Sequence, residues 1–297
     1  MKKNDFLVQY FEKRKSKIFK FFIFLLLVFS LILIINNNFT SKYFIGKVHL
    51  EGIINDKNEL IQQLSNIEQN KNIKCLLIII NSPGGTFVSS KEILDALEKI
   101  SKKIPTSAYM REMGTSGAYL ASLGAKKIFA NQGTITGSIG VILQTAQLTS
   151  LMEKIGVKPI IVKSGELKAT PNPLEKLDEE KINYLKKIIG QLQDEFIEIV
   201  ERKRNLNQAT LRKISSGRIF TSKQALELNL IDFVGNETDA LNWIIKEGNL
   251  DPKIDVIEID QKNSLFNLMN TSLFKNSLKP FNLNLNSGIL AIWTPGL

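Results

Sequence analysis

Residues 18–35 form the longest apolar stretch of the chain. Only Lys20 and Ser30 interrupt it, and a helix there has no polar face. Eighteen residues at about 1.5 Å each nearly cross a bilayer core of about 30 Å. Lys20 lies near one end, where its ammonium can snorkel to the interface, and Asn36-Asn37-Asn38 closes the stretch. A cleaved signal peptide has a shorter apolar region ending in a small-x-small site. Leu33-Ile34-Ile35-Asn36 offers no such site, so the pattern predicts an uncleaved transmembrane anchor.

From Gly46 to Ile54 the alternation predicts a strand, with His49 on the polar phase between Val48 and Leu50. Asp56-x-x-Glu59 resembles a capping box and opens a helix to about Gln69. Lys74 to Asn81 is almost continuously apolar and predicts a parallel strand buried on both faces. Asn81-Ser82-Pro83-Gly84-Gly85 ends it. An amphipathic helix follows, with Val88, Ile93, Leu94, Leu97 and Ile100 on one face. Ile104 to Met110 is the next strand, and it leads to Met113-Gly114-Thr115-Ser116-Gly117-Ala118-Tyr119, a turn opening a short helix. Two strand-to-helix turns on consecutive β-α units emerge at one end of a parallel sheet, where sites form.

Further strands are expected at Lys127 to Asn131 and Val157 to Lys163, and helices near Leu148 to Ile155, from Asp178 to Arg204, at Gln208 to Ile214, from a Ser222 cap to Leu228, and from Thr238 to Glu247. Gly133 to Val141 is a glycine-punctuated strand or loop. Ser164 to Pro173 is a loop, since its two prolines forbid regular structure. The predicted organisation is a basic segment at 1–17, an anchor at 18–35, a linker at 36–45, one α/β domain at 46–260 and a tail at 261–297. The tail, rich in Asn, Leu, Phe and Ser, has no assignable role.

Charge and composition narrow the function. Residues 1–20 carry a net +5, half of the chain's +10. The remainder is spread thinly, with no basic stripe interleaved with aromatics, which excludes a nucleic-acid reading. The basic flank precedes the apolar stretch, so the positive-inside rule puts the N-terminus in the cytoplasm and the domain outside it. The lone cysteine, Cys75, lies in an apolar run and reads as a buried core thiol; it excludes an internal disulfide. The lone histidine, His49, has no marked carboxylate partner, and any Ser-His-Asp mechanism would have to use it.

Ser116 has two readings. It caps the helix that follows it, or it is a nucleophile, with glycines allowing close backbone approach and a helix N-terminus favouring negative charge. A serine nucleophile needs a base. A lysine serves if burial lowers its pKa and leaves it neutral. Lys168 is distinguished among the chain's cations only by its proline- and glycine-rich loop. Gly84 and Gly85 either supply outward N–H donors to an oxyanion or merely form a turn. Ser138, after Gly137, has the plain reading of a turn residue.

Taken jointly, Asn81-Ser82-Pro83-Gly84-Gly85, Ser116-Gly117-Ala118-Tyr119, Thr136-Gly137-Ser138-Ile139-Gly140-Val141, the Gly165-x-x-Lys168 loop, and Gly217-Arg218-x-x-Thr221 with Ala225 and Leu230-Ile231-Asp232 resemble the signal peptide peptidase A family. The resemblance runs from about Gly46 to Glu247. It implies a ClpP/crotonase-like α/β fold of repeated β-β-α units behind an N-terminal transmembrane helix. It further implies Ser116 as nucleophile, Lys168 as general base and then general acid, and Ser138 as the serine that orients the lysine. Oxyanion N–H groups would come from Gly84 or Gly85 and from Gly117. The implied partners are a ring-shaped homo-oligomer, the membrane, and unfolded peptides such as cleaved signal peptides, with no metal or other cofactor. A ClpP-type triad would need a histidine after the serine, and the chain has none there. Ala118 stands where glycine is usual, and Asn229 where the closing motif commonly has glycine, a position that Asn tolerates in left-handed geometry. Two other function classes compete: a catalytically silent, membrane-tethered peptide-binding scaffold, and a crotonase-like acyl-CoA enzyme.

Overall fold

The computed structural model describes residues 20–30, 43–259 and 290–292. The chain divides into two units, Met1–Tyr43 and Phe44–Leu297. In the first, helix α1 covers 20–30, with Phe21, Phe22, Phe24 and Leu26 all exposed. No helix among the described residues is long and apolar enough to cross a membrane. The remainder of the expected 18–35 anchor, the 1–17 segment, most of the 36–45 linker and most of the 261–297 tail lie outside the described residues.

The second unit is built on a mixed sheet. In space its strands run β7 (Ile219–Thr221), β6 (Ile135–Gly137), β4 (Thr106–Thr115), β2 (Ile73–Ser82), β1 (Phe44–Glu51) and β9 (Asp255–Glu258). Strand β5 (Lys127–Ala130) also pairs with β4 and carries β8 (Phe233–Val234) on its other edge. All these pairings are parallel except β6 with β7. Strand β2 runs through the short β3 (Gly84–Thr86) into α3 (Phe87–Ser101), the expected β-β-α order.

The uninterrupted apolar run of β2 has its reason in two cores. Leu76, Ile78 and Ile80 join a large cluster that includes Leu60 and Leu64 of α2 (Asn58–Gln69) and Ile93, Leu94 and Leu97 of α3. The same cluster takes in Tyr119 of α4 (Gly117–Ser122), and Phe196 and Val200 of α6 (Glu179–Arg204). The intervening Cys75, Leu77 and Ile79 face a smaller cluster with Ala240 and Ile244 of α9 (Glu237–Glu247). A strand covered on both faces has no polar phase.

Several expectations shift. Helix α2 starts at Asn58, and Lys57 at its N-cap position makes no capping bond. Asp56 instead accepts from Asn58, so the expected capping box does not form. Val88 is 66% exposed while Phe87 is buried, because the apolar face of α3 is set one residue earlier. Thr221 rather than Ser222 caps α8 (Ser222–Glu227), in a capping box with Gln224. The expected strand Val157 to Lys163 is absent. That segment follows α5 (Thr149–Lys154), has no regular structure, and leaves Ile160 90% and Val162 93% exposed. A strand needs a neighbouring edge for its amides, and this chain presents none to the segment among the described residues. The first half of α6 likewise leaves Ile182 and Tyr184 exposed, whereas Phe196, Ile199 and Val200 are buried. A 3.6-residue period locates an apolar face without saying whether anything covers it.

Cys75 is fully buried, its Sγ 3.2 Å from the Ile244 carbonyl, and burial pushes the thiol up to about 12. Native protein should therefore leave Cys75 unmodified by an aromatic disulfide reagent at pH 8, with one thiol appearing only in denaturant. Tyr119 Oη donates to the Leu230 carbonyl at 2.9 Å inside the core. Tyr119→Phe removes that donor and should lower stability by about 1–2 kcal/mol, read as a lower denaturation midpoint without loss of secondary structure.

Candidate active site

Strands β2, β4 and β6 lie side by side and parallel, and their register brings three turns to one edge. Ser82 is opposite Gly114, Gly114 opposite Thr136, and Thr115 opposite Gly137. The chain leaves β2 through Pro83-Gly84-Gly85, β4 through Ser116, and β6 through Ser138. C-terminal strand ends of parallel sheets converge in this way.

Ser116 is held in an unusual state. Its backbone has φ 53° and ψ −119°, and the residue is 1% exposed. A non-glycine residue there costs on the order of 1–3 kcal/mol and persists only where its surroundings over-determine it. Here Ser116 N–H donates to the Gly137 carbonyl at 2.7 Å, and α4, which starts at the next residue, is buried throughout. Ser116 occupies the N-cap position of α4 yet makes no side-chain capping bond; its Oγ donates instead to the Gly140 carbonyl at 3.4 Å. The N-cap residues Thr86, Asp178, Asn207, Thr221 and Asn236 all do accept from their helices. The capping explanation of this serine therefore fails.

The Gly84-Gly85 turn lies tight against Ile54. Ile54 N–H donates to the Gly84 carbonyl at 2.8 Å, and Thr86 N–H donates to Ile54 at 2.7 Å. A Cβ on Gly85 would lie 2.0 Å from the Ile54 oxygen, so only glycine fits. Gly84 has φ 103°, and its N–H donates to Ser82 Oγ at 3.1 Å.

Ser138 repeats the backbone state of Ser116, with φ 51° and its N–H donating to the Arg218 carbonyl at 2.7 Å. It lines a cleft of about 440 Å³ with Gly140, Val141, Gln193 and Gly217. Gln193 of α6 donates from Nε2 to the carbonyls of Ile139 (3.3 Å) and Ser215 (3.2 Å). It thereby fixes the loop whose Gly140 carbonyl receives Ser116. Nothing in the sequence marks Gln193, which sits on a long helix among many polar residues. The closing motif proves structural: Arg218 supplies the carbonyl for Ser138, and Asn229 has φ 59°. The Asp232 carboxylate gathers Lys127 Nζ, Arg204 Nη1 and the Ile128 N–H within 3.0 Å.

Lys168 makes no hydrogen bond to these turns among the described residues. It is exposed in the loop after residue 163, its N–H donates to the Gly165 carbonyl at 3.1 Å, and its ammonium has no hydrogen bond or ion pair among the described residues. The strand register thus brings together Ser116, Ser138 and the glycine turn, and no hydrogen bond joins Lys168 to them among the described residues. His49 lies on β1, 3.6 Å from both Glu51 and Glu258, with no bond to Ser116. Among the described residues no group of three or more His, Cys, Asp and Glu is placed to hold a metal ion.

Comparison with known proteins agrees with this geometry. The model of peptidase family S49 matches residues 98–251, and that of Clp protease matches 45–133. The chain is 38% identical over 218 residues to a protein of Synechocystis sp. named "Putative protease", covering 73% of this chain and 78% of that one. It is 34% identical over 233 residues to "Putative signal peptide peptidase SppA" of Enterococcus faecium, covering 74% and 67%. It is 27% identical over 212 residues to "Serine protease SPPA, chloroplastic" of Arabidopsis thaliana, covering 69% of this chain and 31% of that one. The sheet, the glycine turns and the buried elbow serine are thus the parts of a ClpP-like α/β fold, and the chain belongs to peptidase family S49 and is a serine peptidase.

Proposed function

We propose that this peptidase is a membrane-anchored endopeptidase in which Ser116 and Lys168 form the catalytic pair. The observation that carries the reading is Ser116 itself: buried, at φ 53°, and turned away from the helix it would otherwise cap. Uncharged Lys168 takes the Ser116 proton as Oγ attacks the peptide carbonyl. Gly117 N–H and one N–H of Gly84 or Gly85 stabilise the oxyanion. Lys168 then returns the proton to the leaving amine, and water hydrolyses the acyl-enzyme. Ser138 holds the lysine amine in place.

Lys168 reaches this site in the assembled enzyme. Ile160 and Val162 are almost wholly exposed a few residues before it, and a continuous apolar segment in water is a surface awaiting cover. A second copy supplies the missing edge, orders the loop and desolvates the lysine; closed rings are a common outcome of such contacts between like subunits. The exposed aromatics of α1 and the basic residues before it support an anchor with a cytoplasmic N-terminus and an extracytoplasmic peptidase domain. The relative named for signal peptides supports unfolded, membrane-derived peptides as substrates.

Ser116→Ala should abolish both peptide hydrolysis and labelling by a fluorophosphonate. Lys168→Ala should lower kcat by roughly 10³-fold or more with an unchanged thermal midpoint; full activity of that variant in an unfolded-peptide assay rules out the pair. Ile160→Glu combined with Val162→Glu should dissociate the oligomer in analytical ultracentrifugation and reduce activity in parallel.

A further inference from the structure

The cleft of about 440 Å³ that Ser138 and Gly140 line runs along α6. Lys186, Ile189, Gly190 and Gln193 form its floor, a spacing that puts them on one face of the helix. Its walls are the 138–142 and 215–217 loops, and Gln193 Nε2 ties both to the floor through the Ile139 and Ser215 carbonyls. The Gln193 end adjoins the nucleophile. The Gly140 carbonyl accepts from Ser116 Oγ, and a Cβ on Gly140 would lie 3.8 Å from Gln193 Oε1. Two features of the floor do nothing to hold the chain together. Gly190 sits in the middle of a 26-residue helix, where glycine is the least favourable residue short of proline. A Cβ there would meet nothing within 4 Å, so packing does not demand the glycine, and its bare backbone keeps the floor open. Lys186 is exposed and forms no hydrogen bond or ion pair among the described residues, and no Asp or Glu lines the cleft.

We propose, resting on the peptidase reading above, that this cleft takes the C-terminal end of a peptide, with Lys186 pairing its free α-carboxylate. An unpaired ammonium beside the apolar Ile142 and Ile189 complements a chain end that carries apolar side chains and one negative charge. Lys186 and Gln193 stand two helical turns apart, about 10 Å along the axis. Three extended residues cover that distance at about 3.3 Å each. The enzyme thus cuts an unfolded peptide two or three residues from its C-terminus. Any peptide released by an earlier hydrolysis presents such an end, and the interior of an intact chain does not.

The test uses the full chain in detergent and one short apolar peptide, made as the free acid and as the C-terminal amide. At low salt the KM for the acid should be roughly fivefold below that for the amide, the upper range for an exposed ion pair, and about 1 M salt should close the gap. Mass spectrometry should place the cut two or three residues from the end of the acid. In Lys186→Met the two KM values should converge. Gly190→Leu favours the helix but fills the floor; it should keep the thermal midpoint and lose most hydrolysis of both peptides. If Ser116-dependent hydrolysis shows no preference for the acid, or keeps that preference in Lys186→Met, the carboxylate site is wrong and the catalytic reading stands. If no form hydrolyses peptides, yet a labelled free acid binds more tightly than its amide only while Lys186 is present, the cleft stands and the catalytic reading falls.

Discussion

One backbone hydrogen bond holds the site together: Ser116 N–H to the Gly137 carbonyl at 2.7 Å. It joins the end of β4 to the end of β6 and braces Ser116 in a backbone state that the residue would leave if free. Everything around it over-determines that state. The helix starting at Gly117 is fully buried, and Tyr119 is pinned to Leu230. Gly137 has φ 83° and no room for a side chain, because a Cβ would meet Phe220 at 2.6 Å. A relaxed serine at this turn would cap α4. The strained one directs its hydroxyl elsewhere, as a nucleophile requires.

The strain is affordable because the sheet beneath is stiff. Strand β2 is buried on both faces, between a helical layer on one side and α9 on the other. A parallel sheet so enclosed keeps its register, since a one-residue slip would move every side chain to the opposite core. Register in turn sets which turns meet. The alignment of Ser82, Gly114 and Thr136 across three strands places Gly84-Gly85, Ser116 and Ser138 at one edge without any contact between their side chains.

Around this rigid centre the chain leaves edges and faces uncovered. The segment at 157–163 has apolar side chains and no partner strand among the described residues, and the start of α6 exposes Ile182 and Tyr184. The Gly85 edge of β3, by contrast, is occupied by the chain's own β10 (Leu290–Ile292). Both features concern strand edges, one without a partner strand among the described residues and one paired.

Much of this was legible in the residues. Apolar runs located β2 and β4, helical periodicity located α3 and α6, and the single His49 argued against a histidine-based site. Local pattern determines these things because burial and backbone geometry act within a few residues. The left-handed state of Asn229 could be anticipated for the same reason. Tertiary structure alone decided the rest. Ser116 is separated from a capping role only by its bond to a strand twenty residues on, and Gln193 matters only because α6 passes behind Ile139 and Ser215. The predicted strand at 157–163 failed because strand formation depends on an edge elsewhere, and no local pattern supplies one. Lys168, chosen from its loop and from a resemblance, has no hydrogen-bonding or charged partner among the described residues of one chain, since the desolvation a catalytic lysine needs comes from packing rather than from sequence.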